Sequence, residues 1–519
     1  MKIATSDGEQ NQFMSVPELI DKWAEDTPDA VFLVDSHSDT QITYQMLKSQ
    51  ASAVAHNISS CGVKAGESVA YAMSNNPQTA VTVLGILYGG FLATSINLVA
   101  GRDTISYVLE HSEAKLVLAN AMGEELVSSV QSEVAAMPCI IVVDEGFLVA
   151  SDQLQPKSIT AETDGLLMYT SGTTGRPKGV VLSHKNLIAG GRNTALAHQL
   201  ANQDRGMCIL PLYHINGLCV TVMGALVSGG SLVVPRRFSV STFWQTIVEQ
   251  QITWFSAVPT QISYLLHYKG KIPPKEQLVN VGFARSASAP LSPDVQEAFE
   301  ARFGIPIVET MGLTETAAQI LSNPLPPGVR KIGSPGVAFG NEVIIADENQ
   351  REVRRGKEGE VLVRGPNSMR CYLKNETATV QALTADGWLR TGDLGRMDDD
   401  GYVFITGRLK ELIIKGGENI APREVDEALY SHSDVVEAAA FSRKCDRYGE
   451  TVEAAVMVCE GSKATEAELI EMCVSRLGNF KAPERVHFLP ELPKGPSGKI
   501  QRIKLLNLVM SEAAQDRTD

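Results

Sequence analysis

The sequence predicts an α/β protein in two parts: a large N-terminal domain of layered α/β sheets plus a β-hairpin region over residues 1–407, and a small C-terminal α/β domain over 408–519. Three observations predict it. Short apolar β-rich runs alternate with helical stretches as far as Pro306, which implies layered, largely parallel sheets. Residues 340–364 switch to alternating apolar residues with Gly-rich breaks, the pattern of antiparallel hairpins. After Gly407 the composition changes again, and the remaining stretch of about 110 residues suffices for a small independent domain.

Taken in order, residues 16–29 predict a helix carrying Val16, Leu19, Ile20 and Trp23 on one face and ended by Pro28. Residues 41–58 predict a second helix after a short strand, and 68–73, 115–119 and 138–143 predict strands. No charged side chain occurs between Glu67 and Arg102. Asn75, Asn76, Pro77, Gln78 and Gly89 interrupt that run, so a buried helix and strand are expected in place of a membrane span. Residues 166–169 and 179–182 read as a hairpin, with Ser183 as N-cap of a helix starting near His184. Residues 205–210 form a strand that delivers PLYHINGL (211–218) to its end, where open α/β sheets present ligand groups. Beyond Gly407, a helix over 422–430, strands over 435–441 and 454–459, and helices over 465–477 and 504–514 complete the reading.

Composition narrows the function. The 519 residues exceed what one core serves. With 46 basic against 60 acidic side chains the net charge is −14, which argues against nonspecific nucleic-acid binding. Eight dispersed cysteines with no C-x-x-C spacing read as buried thiols of a reducing compartment, the cytoplasm, and the N-terminal stretch lacks an apolar signal core.

The chemistry concentrates in residues 169–180, YTSGTTGRPKGV. Glycines let backbone N–H groups approach an anion, short hydroxyls donate further bonds, and Lys178 adds a point charge, so the stretch suits a polyphosphate. It is not the P-loop of nucleotide hydrolases: the residue five after Gly172 is Pro177, and Gly179 follows Lys178 where Ser or Thr is needed. A plain turn is the other reading of such a composition.

This string resembles the phosphate-binding signature of the AMP-forming acyl-CoA synthetases and related adenylate-forming enzymes. Further motifs of that family stand in the family's order at 211–218, 311–315 (MGLTE), 387–394 (GWLRTGDL), 407–420 (GRLKELIIKGGENI) and 493–502 (PKGPSGKIQR). The resemblance implies a ligase using ATP, Mg²⁺ and coenzyme A: the carboxylate is adenylated, then passed to the thiol. It assigns Thr170, Ser171, Gly172, Thr173, Thr174 and Lys178 to the phosphates, and Thr314 with Glu315 to the catalytic turn where Glu315 holds Mg²⁺. Ala289, Met311 and Gly312 fall along the nucleotide, with Met311 where the family usually carries an aromatic ring over adenine. Asp393 and Arg408 match the ribose-binding aspartate and the arginine near it, and Lys499 the lysine that bridges carboxylate and α-phosphate. His214 is implied as a gating or substrate-contact residue. Lys410 matches the hinge of a mobile C-terminal domain, and Gly416 and Gly417 the glycine pair along which pantetheine slides after Lys499 withdraws.

The same resemblance places the acyl pocket at Asn216, Arg285, Ser286, Ala287, Ser288 and Ala318. Ala287 stands where many relatives have glycine, which shortens the pocket, and its polar members are poor company for an alkyl chain. The strings RSASAPL, ILSNPLPPG and RFSVSTFW resemble the oxalate-CoA ligase branch. Those enzymes carry histidine at the position of Ala318, so the expected acid is a short one in place of oxalate, with doubly anionic acids such as malonate or sulfoacetate among the candidates. Medium-chain or aryl acids, and a carrier protein in place of CoA, stay open as alternatives. The expected partners are the acid, ATP and CoA, with no nucleic acid and no membrane span; a homodimer is left open.

Overall fold

The computed structural model describes residues 14–38, 40–149, 159–170, 176–495 and 499–515, with side chains as far as Val509. Among these residues the strands form four sheets, of nine, seven, four and five strands. The two largest are mainly parallel and alternate with helices, as the sequence pattern requires, and the whole is a mixed α/β fold with a large N-terminal and a small C-terminal part.

The first helix, Val16–Asp26, is set by a reciprocal cap: Ser15 accepts from the Glu18 N–H while Glu18 accepts from the Ser15 N–H at 2.6 Å. It stops three residues before the expected end. Thr27 has already left the helical region, at φ −142° and ψ 59°, because Pro28 disfavours it there, and its N–H closes on Trp23 O at 2.9 Å. The second helix is corrected at its start. Gln41–Thr43 is a strand paired antiparallel with Val31–Val34, and Thr43 caps the helix Tyr44–Ser60 by accepting from the Met46 N–H at 3.2 Å.

The charge-free run resolves into Ser68–Ala72, the helix Pro77–Tyr88 and Leu92–Ser95, all buried. Among the described residues no helix is long and apolar enough to cross a membrane. The hairpin Asp164–Thr170/Lys178–Ser183 lies in the seven-stranded sheet, and Ser183 caps the helix His184–Ala197 reciprocally with Asn186. Cys371–Tyr372 adds to the outer side of that hairpin, with Tyr372 opposite Val180.

In the nine-stranded sheet the parallel strands Arg205–Cys208, Trp254–Ala257, Phe283–Ser286 and Ile307–Leu313 end on one side. The buried π-helical segment Asn216–Met223 follows the first of them. Residues 342–408 form the four-stranded antiparallel sheet, where Asp393 in Leu389–Met397 pairs with Arg408 in Val403–Arg408. From Ile413 a separate sheet begins, with its own core of Ile413, Val425, Leu429, Val452 and Leu469. The strand expected over 454–459 is longer, Gly449–Val458, because it pairs along most of Val435–Cys445. The last helix starts earlier than expected, at Arg502.

All eight cysteines are free thiols, but Cys61 and Cys139 are exposed, so the expectation of uniformly buried thiols is corrected. Burial pushes the Cys208 thiol up to about 11 and Cys219 up to about 12.

Candidate active site

The strand ends of the nine-stranded sheet, the four-stranded sheet and the C-terminal part enclose a cavity of about 180 Å³. Seven of the residues singled out in the sequence line it: Ser288, Ala289, Met311, Gly312, Asp393, Arg408 and Lys499. They come from five separate stretches of sequence that only the tertiary fold assembles. Gly312 is required by packing, since a Cβ there would sit 1.8 Å from the Ala318 carbonyl oxygen across the irregular pairing of Ile307–Leu313 with Ala318–Ser322.

At the wall formed by the antiparallel pair, Arg408 Nε donates to Asp393 Oδ1 at 2.6 Å and Nη2 to Oδ2 at 3.4 Å. Each carboxylate oxygen keeps a lone pair for a further donor. Burial works against the Arg408 cation, but Asp393 and then Glu411 and Glu315 outweigh it and hold its pKa above the usual value. Lys499 reaches the same wall from the C-terminal part. Its Nζ stands 3.6 Å from Glu411 Oε1, and Arg502 Nε stands 3.8 Å from Glu411 Oε2. Burial, with Arg408 and Arg502 in support and Glu411 opposing, lowers the Lys499 pKa from the ordinary lysine value. An ammonium crowded by two guanidiniums is a group that gains from an arriving anion.

A second cluster forms around Tyr372, which the sequence reading did not single out. Its hydroxyl donates to Glu315 Oε1 at 2.8 Å, and Lys178 Nζ lies 4.7 Å from its ring centroid. Register alone creates this contact, since Tyr372 pairs with Val180 two residues from Lys178. Thr314 opens the short turn Thr314–Thr316 that carries Glu315, and Thr170 Oγ1 donates to Lys178 O at 3.5 Å. Ser171, Gly172, Thr173 and Thr174 lie outside the described residues. Among the described residues no group of three metal-ligating side chains occurs.

The third cluster is the buried polar group behind Ser288. Asn216 Nδ2 donates to Ser288 Oγ at 3.1 Å, while Asn216 Oδ1 accepts from Arg285 Nη1 at 2.9 Å and from Ser256 Oγ at 3.1 Å. Arg285 Nε donates to Gln319 Oε1 at 3.4 Å. Arg285 is only 1% exposed, and among the described residues no carboxylate pairs with it and no acceptor is found for Nη2. Burial pushes its pKa down to about 9. Ser286, Ala287 and Ala318 are also buried, and the Ser286 hydroxyl has no partner among the described residues. Ser256 and Gln319 were not anticipated, because each sits in an apolar strand with no local signal of function.

Of the other expected residues, Lys410, Gly416, Gly417 and His214 lie apart from the cavity, and Asn216, Arg285, Ser286, Ala287 and Ala318 stand behind its wall without lining it. Lys410, Gly416 and Gly417 are exposed; both glycines have left-handed φ, +58° and +86°, in the turn between Ile413–Lys415 and Glu418–Ile420. His214 sits before the π-helical segment, its ring 4.9 Å from that of Tyr213 and its N–H on Pro211 O at 3.1 Å. The buried carboxylate of Glu309 is a further cavity residue that the sequence reading missed.

Comparison with known proteins places this geometry. Residues 20–373 match the family described as AMP-binding enzyme, and residues 424–499 match the AMP-binding enzyme C-terminal domain. Sulfoacetate–CoA ligase of Cupriavidus necator is 42% identical over 508 residues, covering 96% of this chain and 99% of that protein. Oxalate–CoA ligase of Arabidopsis thaliana is 35% identical, covering 86% of this chain and 89% of its own length. Among solved structures, ATP-bound MatB of Rhodopseudomonas palustris superimposes with a TM-score of 0.86 at 27% identity, over 95% of this chain and 98% of that one.

Proposed function

This chain belongs to the AMP-binding enzyme family of acyl-CoA synthetases, and from that premise we propose that it joins a short, doubly anionic carboxylic acid to coenzyme A, with sulfoacetate the first candidate and malonate the second. The observation that carries the choice of acid is Arg285. A guanidinium buried without a carboxylate is costly unless something anionic arrives beside it. Arg285 does not itself line the cavity, but Asn216 ties it to Ser288, which does, and the proposed acid reaches Nη2 from that side.

In the proposed reaction a carboxylate oxygen attacks the α-phosphorus of ATP, the bond to the bridging oxygen breaks, and pyrophosphate leaves. The CoA sulfur then attacks the acyl carbonyl and AMP departs. Two anions must first be brought together, and that is electrostatic work. Lys499 bridges carboxylate and α-phosphate, being a lysine that lines the cavity on the C-terminal side. Asp393 accepts from the ribose hydroxyls, oriented by Arg408. Met311 covers the base with a polarizable side chain. Lys178, with Thr170, Ser171, Gly172, Thr173 and Thr174, neutralises the phosphates. Glu315 suits Mg²⁺ on those phosphates, since one carboxylate fixed by the Tyr372 hydroxyl is the donor set a hydrated hard cation needs when phosphate oxygens supply the rest. The ion would neutralise charge on the leaving pyrophosphate. Residues 408–519 act as a lid turning near Lys410, so that Gly416 and Gly417 replace Lys499 for the thiol step, with His214 at the passage.

The test is pyrophosphate release with MgATP and CoA across acetate, propionate, oxalate, malonate, sulfoacetate, benzoate, octanoate and palmitate. Turnover that needs CoA and peaks on sulfoacetate or malonate is expected. A peak on octanoate or benzoate overturns the pocket reading, and release indifferent to CoA transfers the acceptor role to a carrier protein.

A further inference from the structure

The loop that carries Lys499 is a small hairpin whose other limb holds a second lysine. Lys494 bridges antiparallel to Ile500, Gly495 N–H donates to Lys499 O at 2.7 Å, and Gln501 N–H donates to Pro493 O at 2.8 Å. Wherever Lys494 is held, Lys499 is held too.

Lys494 Nζ donates to Glu491 Oε1 at 3.3 Å and to Leu492 O at 3.2 Å within its own limb, and it also faces a buried ion. Its Nζ lies 3.0 Å from Oε2 of Glu437, a side chain with no exposed surface, and among the described residues it is the only cation paired with that carboxylate. The same ammonium stands 5.7 Å from the ring centroid of Tyr264, which belongs to the helix Pro259–His267 of the large N-terminal part. Burial and then Glu437 push the Tyr264 phenol up to about 12, so its hydroxyl keeps its proton beside the carboxylate. Two neighbours on that helix grip the same chain segment: Ser263 Oγ donates to Val436 O at 2.6 Å, and His267 Nε2 lies 3.3 Å from Ser433 O. The helix begins with Pro259 and Thr260, which line the cavity.

We propose that Tyr264, Glu437 and Lys494 form a latch between the large N-terminal part and the C-terminal part, and that Tyr264 is a positioning residue for Lys499 in adenylation. The arrangement is self-consistent in its charges. Glu437 and Lys494 travel together in the C-terminal part, so their pair survives separation of the two parts, but the aromatic face and the Ser263 hydroxyl do not travel with them. Separation therefore loses the cation–ring contact and opens the ion pair to water, while closure restores both and brings Lys499 to the cavity. Tyr264 touches no reacting atom. It sets the fraction of time that Lys499 faces the nucleotide.

The latch rests on the ligase reading above, so the test separates the two. Tyr264→Ala should lower acid-dependent ATP–pyrophosphate exchange by about tenfold, the scale of a partly desolvated cation–ring contact. Thioester formation from supplied acyl adenylate should stay within about twofold on the same scale of reasoning. Tyr264→Phe, which keeps the ring, should restore most of the exchange rate. Equal loss in both half reactions, or a Phe variant as slow as the Ala variant, overturns the latch. Amide hydrogen exchange at residues 493–502 needs no substrate and should quicken in Tyr264→Ala; unchanged exchange there overturns the latch whatever acid the enzyme uses. Should Tyr264→Ala fail to fold, Ser263→Ala removes the neighbouring grip on Val436 and is read by the same two measurements.

Discussion

Replacing Arg285 by methionine tests the choice of acid most directly, because the structure fixes what is lost. The side chain makes three hydrogen bonds, to Gln319, Asn216 and Ser256, and Nη2 has no acceptor among the described residues. If Nη2 binds the distal anion, its loss removes a charged hydrogen bond worth about 1.5–3 kcal/mol. The Coulomb attraction lost with it is bounded by about 4 kcal/mol at 4 Å in a medium of effective dielectric about 20. These bound the fall in kcat/KM for sulfoacetate or malonate between roughly 10-fold, for the weakest charged hydrogen bond alone, and roughly 10⁵-fold for both at full strength. Propionate has no distal anion and should change by less than about threefold, since nothing it touches has been removed. The protein should stay folded. All three acceptors lose the Arg285 donor, but the Ser256 hydroxyl still donates to Asn216 Oδ1, so the main loss is at Gln319 Oε1, at a cost of about 1–3 kcal/mol. Relief of an uncompensated buried cation acts in the opposite direction. Pyrophosphate exchange with each acid at matched concentrations gives the ratio. If Arg285→Met loses sulfoacetate and propionate alike, the guanidinium is structural and the argument from its burial fails.

Three further outcomes are expected. Lys499→Ala should reduce adenylation by roughly 10²- to 10³-fold, as loss of a preorganised charge does, and leave thioester formation from acyl adenylate largely intact; equal losses would refute the division of labour. Met311→Tyr should lower the KM for ATP by about 2- to 12-fold through stacking worth about 0.5–1.5 kcal/mol, and an unchanged or raised KM would show that the base lies elsewhere. His184 is buried, accepts the Val16 N–H on Nδ1 at 3.2 Å, and burial lowers its pKa from 6.5 to about 4. The unfolded imidazole therefore takes up a proton that the folded one refuses, so stability is lost as pH falls from 6.5 toward 4. The gap is worth about 3 kcal/mol in all, of which about 2 should be gone by pH 5. Urea unfolding at pH 7.5 and 5.0 should show that much less acid sensitivity in His184→Gln, and equal sensitivity would exclude His184 as its source.

What was legible in the sequence was mostly local. Ser183 announces its helix because a cap and its partner Asn186 are three residues apart. The glycine-bounded motifs could be matched string by string, which is why Asp393, Arg408, Met311 and Lys499 were named before the cavity that gathers them. Their mutual arrangement was not legible: Asp393 meets Arg408 through an antiparallel register, and Tyr372 meets Glu315 and Lys178 through a pairing across about 190 residues, which no local pattern encodes. The start of the helix Tyr44–Ser60 was misplaced for a related reason, since Gln41–Thr43 becomes a strand only by pairing with Val31–Val34. Dispersal without C-x-x-C spacing reads the cysteines as buried thiols, and the exposed Cys61 and Cys139 show that spacing does not fix exposure.

The same distinction explains why the acid can be short without any narrow tunnel being built for it. Asn216 links the cavity wall at Ser288 to Arg285 by two hydrogen bonds, so in the proposed reading only one side chain would separate the carboxylate to be activated from the buried cation. A two- or three-carbon acid with anions at both ends can satisfy both places at once. An alkyl chain would instead lie against Asn216, Ser256 and Arg285, leaving the guanidinium unpaired and adding apolar surface to a polar wall, each a cost of about 1–3 kcal/mol or more. Selection against long acids then comes from an unpaid charge as much as from lack of room. Lengthening the pocket by Ala287→Gly should therefore fail to admit octanoate unless Arg285 is removed as well.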